Sequence, residues 1–306
     1  MIHATLFLLF IASPQDLQRR EAQLKADLSS AATDETVLAL AQFLRERGRY
    51  REAEPLYVRS TGINEEVHGK SSVEAAGSWM RLGALYQAEF KLDLAEAAAR
   101  KAVLLFETLT GTESLDYAYA SANLAAALAG QGQFARAEPL LRRAVFLVRQ
   151  HVPEFDPAVS CLEANLGMVY LREGEFRKAE PLLRGVLARV DEADESGRAS
   201  ALAALAELSI AEGRWEEAEA EIRKAYRVLG DSAGVLRLKA AVETHSGDLR
   251  QAAVDLSRSI ELFESAGGSQ SPALAAVLSE YAKVLHRLRR NGEAKAARRR
   301  AKAIQQ

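Results

Sequence analysis

An alanine returns at one fixed place along most of this 306-residue chain. Ala53, Ala95, Ala137, Ala179, Ala218, Ala252 and Ala294 follow anchor positions at Leu40, Leu82, Leu124, Leu166, Leu205, Lys239 and Tyr281, always by the same interval. The residue directly after each anchor is also small: Ala41, Gly83, Ala125, Gly167, Ala206, Ala240 and Ala282. Successive anchors are 42, 42, 42, 39, 34 and 42 residues apart. Glu-Pro-Leu marks the same register at Pro55, Pro139 and Pro181, each proline following an aromatic residue at Tyr50, Phe134 or Phe176. Such a period argues against one closed core. Each unit is a supersecondary element that buries its apolar face only by stacking on the next.

The unit reads as a pair of helices. In its second half, apolar and small residues step by three and four: Phe134, Ala137, Leu141, Ala144, Val148 in unit three, and Trp215, Ala218, Ile222, Ala225, Leu229 in unit five. That is one face of an α-helix. Gly48, Gly132, Gly174, Gly213 and Gly247 fall between the halves, where a helix must end and the chain reverse. Phe90 and Arg289 stand there in units two and seven, so those turns are expected to be less secure. Alanine, the best helix former, supplies 57 residues. Pro55, Pro139 and Pro181 lie early in the second helices, where a missing N–H costs least. No window sustains period-two alternation, so the expected fold is all-α. The small columns have a packing reason, since antiparallel helices approach closely only where both surfaces lack bulk.

These columns, with the closing pattern Gly-x-aromatic-x-x-Ala-Glu-Pro-Leu, resemble the tetratricopeptide repeat. The 42-residue period, Asn123-Leu124-Ala125, Asn165-Leu166-Gly167 and the loop from Val152 to Ala158 are similar to its kinesin-light-chain type. The resemblance covers residues 35–304. It implies a right-handed α-solenoid of about seven antiparallel helix pairs, with residues 14–34 as an N-terminal capping helix. Unit six departs from the pattern: it is short and carries Lys239 and Glu243 where apolar residues are usual.

The resemblance also implies that the first helices line a concave groove for a peptide or protein. The groove candidates carried over are Gln42, Met80, Tyr119, Asn123, Asn165, Met168, Leu171 and Glu207, with Leu38, Arg45, Ala84, Ala126 and Ala203 beside them. The middle of this set is small and apolar, which suits an extended peptide or a helix with apolar anchors. Asn123 and Asn165 recur one period apart. An amide offers both donor and acceptor, so each is able to pair with a peptide backbone of any sequence or to bond within the array. Some relatives grip a C-terminal carboxylate with Lys, Asn and Arg. Met80, Ala84 and Cys161 occupy the corresponding places, so no carboxylate clamp is expected.

Charge narrows the function further. Forty Lys+Arg against 42 Asp+Glu argue against a globally basic nucleic-acid binder. The balance is uneven, because residues 283–302 hold nine Lys/Arg and only Glu293. The expected reading is a solvated, basic C-terminal helix; the alternative is a patch for an acidic partner, a membrane surface or nucleic acid. The other carboxylates are expected on solvated faces.

Residues 4–12, ATLFLLFIA, fit the apolar region of a signal peptide, although no Lys or Arg precedes them. A hydrophobic leader packed on the first repeat fits as well. Residues 1–13 are therefore a candidate signal peptide or leader, with export to the periplasm expected over a cytoplasmic location.

No catalytic residue, metal site or cofactor is expected. Gly69-Lys70-Ser71 lacks the glycine that a phosphate-binding loop needs at Asn64. The five histidines are isolated, Cys161 has no partner motif, and Trp79 and Trp215 read as core. The expected function is a non-catalytic scaffold for a protein or peptide ligand. A ligand-responsive regulator and an adaptor working through the basic C-terminal helix are the alternatives. The sequence gives no oligomeric state.

Overall fold

The computed structural model describes residues 14–190, 195–265 and 271–304, so the leader over residues 1–13 lies outside the described residues. An initial helix, α1 (Pro14–Ser30), precedes seven helix pairs. These are α2 (Asp34–Glu46) with α3 (Tyr50–His68), α4 (Val73–Ala88) with α5 (Leu92–Leu109), α6 (Leu115–Gly130) with α7 (Phe134–His151), and α8 (Pro157–Arg172) with α9 (Phe176–Arg189). They continue with α10 (Glu195–Ala211) and α11 (Trp215–Leu229), α12 (Ala233–Ser246) and α13 (Leu249–Ser265), and α14 (Pro272–Arg287) and α15 (Asn291–Ile304). No strand occurs among the described residues.

Each helix packs chiefly on its neighbours in the chain, giving a right-handed α-solenoid. The core is accordingly a series of clusters. Leu24 of α1 is buried with Leu40, Leu44 and Tyr57. The largest cluster runs from Ala99 of α5 into α10 through Leu128, Leu141, Leu166, Leu183 and Leu205. Another, around Leu256, Leu274 and Leu278, closes the C-terminal end.

The alanine column is the joint within each pair. All seven alanines from Ala53 to Ala294 are at most 3% exposed. At Gly83 a Cβ would lie 3.4 Å from the amide nitrogen of Ala99 and 3.5 Å from the carbonyl oxygen of Ala95. Here α4 and α5 meet backbone to backbone, which only small residues permit.

Six of the seven hairpins end their first helix in the same way. One residue takes left-handed backbone, and the next N–H reaches the carbonyl five residues back, as Gln133 does to Leu128 at 2.9 Å. This is the Schellman closure. Phe90 (φ +57°) and Arg289 (φ +60°) adopt it although they are not glycine. Their turns are therefore fully formed, against the expectation from sequence, and the missing glycine shows as backbone strain. The exception is the α12–α13 hairpin, where Leu249 N–H bonds Gly247 instead.

Arg289 is exposed, so Arg289→Gly should relieve that strain with little packing lost. The expected gain in urea unfolding is about 0.5–1 kcal/mol; a loss of stability would contradict it.

The first helices α2, α4, α6, α8, α12 and α14 begin on side-chain caps. Ser114 Oγ accepts the Tyr117 N–H at 3.1 Å, and Thr33, Ser72, Asp156, Ser232 and Ser271 act alike. The second helices α3, α5, α7, α9 and α11 start directly from the hairpin turn without such a bond. The basic stretch 283–302 is not one helix. It straddles the end of α14, the turn around Arg289 and most of α15.

Candidate ligand groove

The groove candidates all lie on first helices: Gln42 on α2, Met80 on α4, Tyr119 and Asn123 on α6, Asn165, Met168 and Leu171 on α8, and Glu207 on α10. The structure brings part of this set together. Asn123 Nδ2 donates to the Met80 carbonyl at 3.4 Å, tying α6 to α4. Tyr119 and Met168 are half-buried against the same central cluster. Burial raises the Tyr119 phenol above its ordinary pKa, so it stays a neutral donor near pH 7.

The two asparagines differ despite their equivalent places. Asn123 uses its amide N–H inside the array. Asn165 is exposed, and none of the side-chain hydrogen bonds among the described residues involves it. Gln42 is likewise exposed. Leu171 is placed differently from the other candidates. It is 6% exposed within the central cluster, while Arg172 beside it is exposed.

Glu207 is already occupied. Arg172 Nη1 approaches its Oε1 at 2.9 Å, and Arg237 of α12 donates to the same oxygen. Arg237 Nη1 also donates to Glu280 Oε1 of α14 at 3.2 Å. One ionic chain thus links α8, α10, α12 and α14. Burial raises the Glu280 carboxyl above the usual carboxylate range, and Arg237 partly opposes it. No local motif announces this chain, because its members come from separate units. Met80, Ala84, Tyr119, Ala126 and Met168, on α4, α6 and α8, are uncharged and half-buried, whereas this chain sets paired charges on the first helices from Arg172 onward.

Not every carboxylate lies on a solvated face as expected. Glu163, Glu221 and Asp255 are buried. Ser209 Oγ donates to Glu221 at 2.9 Å, and Lys239 lies 2.7 Å from Asp255. Both tryptophans are half-buried, and Trp79 packs against two of the core clusters. Trp79 Nε1 donates to Glu65 at 2.8 Å, and Trp215 stacks on His245 with centroids 3.9 Å apart.

The irregular unit six holds its own charged cluster. Lys239 is 3.4 Å from Glu243, and Gln251 donates to Asp255 at 3.0 Å. The Tyr226 ring lies 5.8 Å from the Lys239 ammonium. One Glu243 oxygen is buried without a partner. Desolvation first, then the Asp255 charge, push the Glu243 carboxyl up to about 7, against the pull of Lys239.

The folded state therefore holds this proton more tightly than the unfolded chain does. The stability it contributes is full below about pH 4.5 and lost as pH rises through about 7. Glu243→Gln should match the parent near pH 4.5 and exceed it by about 1–2 kcal/mol at pH 8, after discounting for partial exposure. Urea unfolding at the two pH values checks this; a pH-independent difference would refute it.

Among the described residues no group of three or more His, Cys, Asp or Glu could hold a metal ion. Among them, too, no helix is long and apolar enough to cross a membrane.

Four family models, each described as tetratricopeptide repeat, match residues 36–74, 74–149, 162–197 and 199–224. No curated protein matches the chain. Among solved structures, a Rap protein complexed with competence and sporulation factor is similar in fold. It is 16% identical with a TM-score of 0.74, over 93% of this chain and 79% of that one. The Rap conjugation gene regulator of plasmid pLS20, in complex with the Phr* peptide, is 13% identical with a TM-score of 0.70, over 100% and 79%. A putative kinesin light chain of Podosopora anserina with nearly identical TPR-like repeats is 20% identical with a TM-score of 0.54, over 63% and 92%. The repeat register, the hairpin geometry and the matching models agree that the chain belongs to the tetratricopeptide-repeat family.

Proposed function

We propose that the chain is a non-catalytic scaffold that holds an extended peptide or protein segment along α4, α6 and α8. The observation that carries this reading is the contrast along the first helices. Over these three they present small, apolar and adaptable side chains with one open amide, Asn165; from Arg172 onward the charges are paired with each other. Methionines such as Met80 and Met168 adjust to varied apolar side chains. Asn165 offers a donor and an acceptor to a ligand backbone. That two neighbours of this fold hold a competence and sporulation factor and a Phr* peptide supports the same reading.

The test uses a fluorescent peptide selected from a random array by the purified chain. Asn165→Ala should weaken its binding about 5–10-fold, the loss of roughly one good hydrogen bond, with the melting temperature unchanged. Asn123→Ala should lower stability as well, because it removes the hydrogen bond that ties α6 to α4. Unchanged affinity in Asn165→Ala would remove Asn165 from the site.

A further inference from the structure

We propose that the cleft between α7 and α9, on the second helices, docks an acidic helical segment of a partner protein. The cleft encloses about 640 Å³ and is floored by Leu166 and Tyr170 of α8. Phe146 stands at its wall, 50% exposed. A lone exposed aromatic needs no explanation. This one sits at the mouth of an apolar recess and between two cations of its own helix, with a third, Arg143, 5.5 Å from its ring centroid.

Those cations are Arg142 and Arg149, with Lys178 across the cleft on α9; all three are more than half exposed. Their present partners leave them incompletely neutralised. Arg142 meets Glu138 only at 3.4 Å, and Lys178 meets Glu175 only at 3.5 Å, with the Tyr170 ring 5.3 Å from its ammonium. Arg149 shares the single carboxylate of Glu163 with Arg189. Over the two helices, α7 sets four arginines against Glu138, and α9 sets four cations against Glu180. The flanking second helices α5 and α11 each carry more acids than bases. The positive field is therefore local to this cleft, and it selects an anionic occupant.

The spacing selects the shape of that occupant. Arg142 and Arg149 lie two turns apart on α7, roughly 10.5 Å along the axis, with Val145 and Phe146 between them. The outward stripe is thus cation–apolar–cation at the helical period. A second helix laid beside it, with acids two turns apart and apolar residues midway, complements charge and apolar surface together. A flat lipid surface does not reach the recessed floor. A nucleic acid would satisfy the cations and leave the apolar floor unfilled.

The experiment uses the full chain and a fluorescein-labelled 18-residue synthetic peptide with Glu at i and i+7 and Leu at i+3 and i+4. A scrambled peptide of the same composition, a single-stranded oligonucleotide and phosphatidylserine vesicles serve as competing probes. Saturable binding is expected, with peptide helicity rising on binding and the scrambled peptide at least about 10-fold weaker. Phe146→Ala and Arg142→Glu, both at exposed positions, should each weaken binding at least about 5-fold without lowering the melting temperature. Asn165→Ala should leave this binding untouched, which separates the cleft from the groove. Absence of saturable binding, equal affinity for the scrambled peptide, tighter binding of the oligonucleotide or vesicles, or indifference to Phe146→Ala would each overturn the proposal.

Discussion

Glu163→Ala is expected to cost about 3–5 kcal/mol, the loss that follows when one partner of a buried ion pair is removed. The Glu163 side chain on α8 is 1% exposed, and it accepts from Arg149 of α7 and Arg189 of α9. Arg149 is half in water and would simply re-solvate. Arg189 would not, because its side chain is 15% exposed and its Nε is already buried without a partner. Deleting the carboxylate therefore strands a guanidinium at the junction of three helices. The companion variant Arg149→Ala should cost less than about 1 kcal/mol, as for an exposed partner. Urea unfolding monitored by circular dichroism reads both. Because neighbouring pairs are what stabilise a solenoid, the loss in Glu163→Ala should appear first as melting around α8 and α9, with the transition losing its two-state form. A Glu163→Ala protein within 1 kcal/mol of the parent would mean that the pair contributes nothing net.

That buried charge also shows where reading the sequence succeeds and where it stops. The repeat register was legible because it is enforced once per unit: a Cβ-sized residue must stand wherever two helix backbones touch, so Ala53 to Ala294 form a visible column. The turns were legible only where glycine supplied the left-handed residue. Phe90 and Arg289 reach the same conformation under the constraint of the helices on either side, and nothing local reports it. The surroundings of the candidate groove residues were half legible. The period placed Asn123 and Asn165 at equivalent positions, but it does not say that a carbonyl one unit back, at Met80, satisfies the first and not the second. The burial of Leu171 and the ion pairs of Glu207 were hidden for a related reason. A rotation of part of a turn decides whether Leu171 or Arg172 faces outward, and Glu207 meets arginines from two other units. Long-range ionic partners have no spacing rule, so the chain from Arg172 to Glu280 emerges only in three dimensions.

The packing rule behind the columns is open to a direct test at Gly83, where two substitutions should act in opposite directions. Gly83 lies inside α4, and the three nearest atoms to an added Cβ are at 3.4–3.5 Å, ordinary contact distances. Gly83→Ala therefore gains helix propensity without a clash and should stabilise the chain by about 0.5–1 kcal/mol. The equivalent positions in five other units already carry alanine, as at Ala41 and Ala125. Gly83→Leu carries three further carbons into the same space. Two of the obstructing atoms are the Ala99 nitrogen and the Ala95 oxygen, which belong to the backbone of α5 and cannot rotate aside. The pair must open, at a cost of about 3 kcal/mol, and the neighbouring interfaces of α4 and α5 loosen with it. Thermal unfolding of the two variants side by side reads the sign directly. If leucine were tolerated as well as alanine, backbone approach would not be what keeps the column small, and the alanine register would need another physical cause.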